Sequence, residues 1–145
     1  MLTQLKHKLL RAWHLDPRER RYFVTAAARL AAARVELSRR ATRDILADLQ
    51  SREATGGGPA RGVDVPTMAW AIAAAANTVP WRADCLIQSI AASRWLRRHG
   101  IVPDFHLGVT SGEGGAFMAH AWVELDGAVL TGGSGVDQYN LLIGP

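Results

Sequence analysis

A chain of 145 residues with a single cysteine holds no intramolecular disulfide, and it is long enough to bury a sizeable core without one. Its 17 Lys and Arg against 13 Asp and Glu leave a modest +4, and no aromatic-interleaved basic cluster marks a nucleic-acid surface. The N-terminal "MLTQLKHKLLRAWHL" lacks the apolar run of a secretory signal, and "MAWAIAAAANTV" is too short to span a bilayer, so a cytoplasmic protein with no membrane span is expected.

Leu5, Leu9 and Leu10 predict a short first helix. Asp16, Pro17 and Glu19 then read as a helix start: a capping carboxylate, a proline at the first helical position and a Glu that reaches back to the cap. Phe23, Ala27, Leu30 and Leu37 recur at helical spacing, with Arg20, Arg29 and Arg40 largely off that stripe, so a long helix is expected to about residue 50, interrupted near Ser38. Residues 1–43 carry eleven basic and three acidic side chains, a bias that suits a solvated helix face or the docking of an acidic partner. The Gly-rich "TGGGPARG" over 55–62 is the clearest boundary in the chain. The expected organisation is therefore a basic helical region over 1–54, a Gly/Pro linker over 55–64 and a core over 65–145.

Beyond the linker, "PTMAWAIAAAANTVP" predicts a buried Ala-rich helix ending before Pro80. Asp84 can cap the next helix, whose inward face is Ile87, Ile90, Ala91 and Trp95, and whose last turn places Arg97, Arg98 and His99 at the negative end before Gly100. The period then changes to two. "DFHLGVT" and "AFMAHAWVEL" read as strands separated by "SGEGG", and Asp126–Gly127 is a hairpin turn into "AVLTGG". The fold class is α+β: N-terminal helices, then an antiparallel meander packed on them. Trp81, Trp95 and Trp122 are expected in the core, with Trp122 able to wall a cleft beside His120.

Cys85 opens the helix that Asp84 caps, where free N–H groups and the helix dipole favour a thiolate and can hold an oxyanion. By position alone it would be read as an inert buried thiol, so a partner imidazole decides its role. His7, His14 and His99 read as surface residues. His106 and His120 lie in strands, and a hairpin turning about Glu113 would set them opposite one another. His120, in the strongly patterned central strand, is the better base.

"DCLIQSIAASRWLRRHGI", "FHLGV" and "FMAHAWVELDG" together resemble the transglutaminase-like cysteine peptidase domain of lasso-peptide maturation, the C-terminal region of the microcin-processing B proteins, over roughly residues 66–143. The basic helical N-terminal half is similar to the stand-alone peptidase form, in which a separate small protein recognises the leader. The resemblance implies a papain/transglutaminase-like core in which Cys85 attacks a peptide carbonyl, His120 acts as base and then acid, and an Asp orients the imidazole. It also implies three partners: a lasso precursor peptide, the leader-recognition protein and an ATP-dependent macrolactam synthetase. No cofactor is implied.

The orienting residue is open. The family places an acid about where Thr131, Gly132, Gly133 and Ser134 stand in this chain. With a two-residue turn, position 133 would lie opposite His120 and Asp126 about 20 Å along the strand, which leaves Asp126 chiefly a turn former. Asp137, able to fold back through "GGSGVD", is preferred; a backbone carbonyl, Thr131 or Ser134 are further choices. Two rival functions remain. Cys85, His106, His120 and an Asp could ligate zinc for hydrolysis, although none has the close spacing of a metal motif. The chain could also be a catalytically degenerate scaffold subunit of the maturation complex.

Overall fold

The protein, described here by a computed structural model over residues 15–53, 62–133 and 135–144, places four helices ahead of a four-stranded sheet. The helices are α1 (Pro17–Arg39), α2 (Thr42–Gln50), α3 (Val65–Ala76) and α4 (Cys85–Arg98). The strands are β1 (Asp104–Ser111), β2 (Phe117–Leu125), β3 (Ala128–Thr131) and β4 (Asn140–Ile143). The short helix expected around Leu5, together with His7, His14, Ser134 and most of the Gly-rich connector, lies outside the described residues.

Local chemistry accounts for the helix ends. Asp16 accepts from the Arg18 and Glu19 amides at 2.7 and 2.8 Å, and the Glu19 carboxylate takes the Asp16 N–H in return. The expected long helix breaks at Arg40 and Ala41, which are extended, so α2 is a separate segment. Ser38 bonds back to the Val35 carbonyl at 2.8 Å, competing with the helical ladder just before that break. Arg40 then spans the corner, pairing with Glu36 and Asp48, and Arg94 of α4 joins the same two carboxylates at 2.6 and 3.2 Å. Arg40, itself exposed, is therefore engaged in an ion network with Glu36 and Asp48; Arg20, Arg21 and Arg39 are exposed as well.

One apolar cluster joins the helices before the connector to everything after it: Ala26, Leu30 and Ala33 of α1, Ile45 and Leu49 of α2, Met68 and Ile72 of α3, Ile90 and Leu96 of α4, and Phe105, Ala121 and Val123 of the sheet. Full burial of each Leu, Ile or Met contributes roughly 1.5–3 kcal/mol. Arg97 lies in the last turn of α4 as expected, and it is buried. Its guanidinium donates to the carbonyls of Leu49, Ser51 and Glu53, satisfying the last turn of α2 and the chain beyond it.

The sheet order is β3-β2-β1-β4, with every neighbour antiparallel. The first hairpin differs from the sequence expectation. Its loop closes with a 3-10 turn over Glu113–Gly115 and a Gly112 N–H to Ala116 carbonyl bond, which moves the register by two residues. His106 consequently pairs with Trp122, and His120 with Gly108. The second hairpin turns at Asp126–Gly127 as expected, with Asp126 at φ 52°. A bulge at Val123/Glu124 then sets Thr131 opposite Val123, and the ladder stops there, so no β3 residue pairs with His120. Residues 140–143 return as a fourth strand beside β1.

Candidate active site

Cys85 is the first residue of α4. Asp84 caps the helix by accepting the Ile87 amide at 3.2 Å, and Gln88 turns its side-chain amide back onto the Ala83 carbonyl at 2.9 Å, fixing the approach to the helix. From α1, Arg34 donates to the Arg82 carbonyl at 3.1 Å and secures the same approach from outside. The Cys85 amide belongs to the first turn and has no carbonyl four residues back to bond, which leaves it available to an oxyanion. The thiol is half-buried and free.

A cleft of about 400 Å³ opens beside it, between α3 and the edge strand β3. Cys85, Gln88 and His120 line it with Ala69 and Ala73 of α3 and the run Val129–Gly133, so its walls carry no formal charge apart from the two reactive groups. The two residues named from the sequence as nucleophile and base thus face one space.

His120 is fixed by backbone and rings. Its Nε2 lies 2.8 Å from the Gly132 carbonyl oxygen. A carbonyl oxygen only accepts, so Nε2 carries the proton in this bond and Nδ1 is left as the free base of the neutral ring. Gly132 has φ 98°, and a Cβ there would stand 2.6 Å from Trp122 Cβ and 3.0 Å from His120 Nε2, so both the backbone angle and the space require glycine. Tyr139 stacks on the imidazole at a ring separation of 5.0 Å, and Trp122 packs on it at 6.1 Å. Tyr139 reaches this place by crossing β1 at Gly108, where a Cβ would meet its own Cβ at 2.8 Å.

The remaining sequence candidates lie elsewhere. Asp137 is exposed in the 3-10 turn over Val136–Gln138, and Asp126 sits in the exposed β2–β3 turn. Neither carboxylate bonds His120, whose acceptor is Gly132; the turn after β3 brings a carbonyl to the ring, the backbone alternative to the preferred Asp137. Thr131 is buried and bonds Ser89 of α4 rather than the imidazole. His106 is buried, stacks on Trp122 at 5.2 Å and has Glu124 3.6 Å from its Nε2. Among the described residues no three His, Cys, Asp or Glu side chains form a group able to hold a metal ion, so the zinc alternative has no assembled site there.

Sequence reasoning missed Tyr139 and singled out the Gly132 carbonyl only as an unnamed backbone acceptor. The run of glycines over 132–135 was the available signal: a strand ending in glycines can turn its carbonyls inward.

Comparison with protein families matches the chain, over residues 19–143, to the model described as the Transglutaminase-like superfamily. The matched span begins in α1 and so takes in the basic helical region from Glu19 onward, together with Cys85 and His120. Comparison with curated proteins and with solved structures gives no match.

Proposed function

Because the chain belongs to the transglutaminase-like superfamily, with its cysteine-peptidase type of fold, we propose that it is a cysteine peptidase that cleaves the leader from a lasso-type precursor. The observation that carries this reading is the shared cleft: a free thiol at a helix N-terminus and an imidazole with one nitrogen already engaged line the same space. His120 Nδ1 takes the Cys85 proton, and Sγ attacks the carbonyl carbon of the scissile bond. The Cys85 N–H meets the developing oxyanion. His120 then gives its proton to the departing amine, which frees the core's N-terminus for macrolactam closure. Water adds to the thioester, His120 again acting as base, and the leader leaves with a carboxylate end.

The Gly132 carbonyl does the orienting work in this scheme. It holds the tautomer as a carboxylate would, but without a full negative charge to stabilise the imidazolium, so a lower rate is expected than with an orienting acid. The uncharged walls of the cleft suit an extended peptide with neutral side chains next to the scissile bond. Arg20, Arg21 and Arg39, exposed along α1, are the proposed docking surface for the leader-recognition protein or the ring-closing enzyme; the adjoining Arg40, also exposed, is ion-paired with Glu36 and Asp48. The proposed setting is cytoplasmic, and no helix among the described residues is long and apolar enough to cross a membrane.

Mass spectrometry of a candidate precursor, incubated with its leader-recognition protein and wild type, Cys85→Ala or His120→Ala, tests the reading. Leader release by wild type alone is expected. Equal release by Cys85→Ala overturns it, and binding without release by any form points to a scaffold subunit.

A further inference from the structure

Building on the Cys85–His120 reading above, we propose that the buried Ser89–Thr131 hydroxyl pair is a positioning joint that sets the thiol of α4 against the imidazole of β2. Ser89 lies four residues after Cys85 and so on the same face of α4, one turn further in. It is fully buried, Thr131 is 5% exposed, and their oxygens are 3.0 Å apart. Thr131 is the last ladder residue of β3, and the next residue, Gly132, accepts the His120 Nε2–H at 2.8 Å. Two hydrogen bonds in series therefore run from the nucleophile's helix to the end of β3 and on to the base.

Other contacts between α4 and the sheet involve apolar side chains such as Ile87, Ile90, Ala121 and Val123, and dispersion tolerates small sliding of one layer over another. A hydroxyl pair does not, because each oxygen is buried and a small displacement leaves both unpaired. An Ala and Val in their place would pack with similar volume, so the pair contributes direction more than adhesion. The bulge at Val123/Glu124 belongs to the same device. It brings Thr131 instead of Leu130 opposite Val123, and a slip of one residue would turn the Thr131 hydroxyl to the other face of the sheet. Ser89 and Thr131 hydrogen-bond each other rather than the Cys85 thiol or the His120 ring, so they act through the helix that carries Cys85 and through the Gly132 carbonyl.

The test is the rate of Cys85 alkylation by iodoacetamide as a function of pH, measured on the full chain below the melting temperature of each variant. A misplacement on the order of 1 Å at a reacting pair costs up to about 100-fold. Ser89→Ala and Thr131→Val are each expected to slow alkylation near neutral pH by about 10-fold, shifting the profile toward that of His120→Ala, with the double variant no worse than either single one. Thr131→Ser restores the hydroxyl and is expected to restore the wild-type profile. Ser89→Ala removes one oxygen from a helix and carries the test alone if Thr131→Val does not fold. Wild-type profiles in both joint variants, against an altered His120→Ala profile, overturn the joint while leaving the Cys–His reading intact. A His120→Ala profile identical to wild type overturns that reading, and the joint with it.

Discussion

The end of α4 that carries Cys85 and the sheet edge that carries His120 face the same cleft and are held in opposite ways. Cys85 owes its place chiefly to near neighbours: Asp84 caps the helix, Gln88 bonds Ala83, and the buried Ile87, Ile90, Ala91, Ala92, Trp95 and Leu96 of the same helix seat it in the core, with Arg34 adding one bond from α1 at Arg82. His120 owes its orientation to residues 12 and 19 positions further on, the Gly132 carbonyl and the Tyr139 ring. One half of the site is a property of a segment. The other is a property of how three segments meet, and it is the half that a single substitution far from the strand can disturb.

Substitutions can separate the two halves. The largest effect is expected for Arg97→Ala, which removes the donor to the carbonyls of Leu49, Ser51 and Glu53; a loss of about 3 kcal/mol in urea denaturation is expected, with the alkylation profile of Cys85 unchanged while the protein is folded. Gly132→Ala should do the reverse at the other half. Its methyl meets Trp122 and His120, and cleavage is expected to fall by about 100-fold in protein that is still folded at low temperature. Equal loss in both assays for both variants would dissolve the distinction.

Tyr139→Ala is expected to lower cleavage by about 10-fold, and Tyr139→Phe to keep it, since the ring and not the hydroxyl stacks on the imidazole. Acid behaviour probes the helices behind the Cys85 half. The Arg40 hydrogen bond, and after it Arg94, hold Asp48 below the usual aspartate range, and the Thr67 hydroxyl and amide do the same for Asp64. Their folded-state values lie below the unfolded ones, so the stability they supply is present above the usual aspartate pKa and is lost as pH falls through the depressed values. Thermal denaturation across that window should flatten in an Asp48→Asn, Asp64→Asn variant. The smallest effect is expected for Asp137→Asn, within about twofold of wild-type cleavage, because the exposed carboxylate does not contact His120. A fall beyond about 10-fold would return the orienting role to Asp137.

The order of the described helices and the caps that start them were legible in the sequence, while the corner at Arg40–Ala41 and the end of α3 at Ala76 were not placed to the residue. Caps at Asp16 and Asp84, the apolar stripe through Leu30 and the turn at Asp126–Gly127 act within a few residues, and so are written in neighbouring letters. The sequence also singled out Cys85 and His120, since a cysteine opening a capped helix and a histidine in a patterned strand are local features too. Tertiary structure decided what joins them. The two-residue shift of the first hairpin came from a glycine-rich loop that several closures satisfy, and the bulge that ends β3 at Thr131 came from packing across the sheet. The buried Arg97 found its carbonyls at the end of α2 and in the chain just beyond it, more than forty residues away. The acceptor for His120 is a backbone oxygen, a group every residue carries; the glycines at 132, 133 and 135 permitted a turn there, and the path of the chain through Gly132 selected which carbonyl reaches the ring.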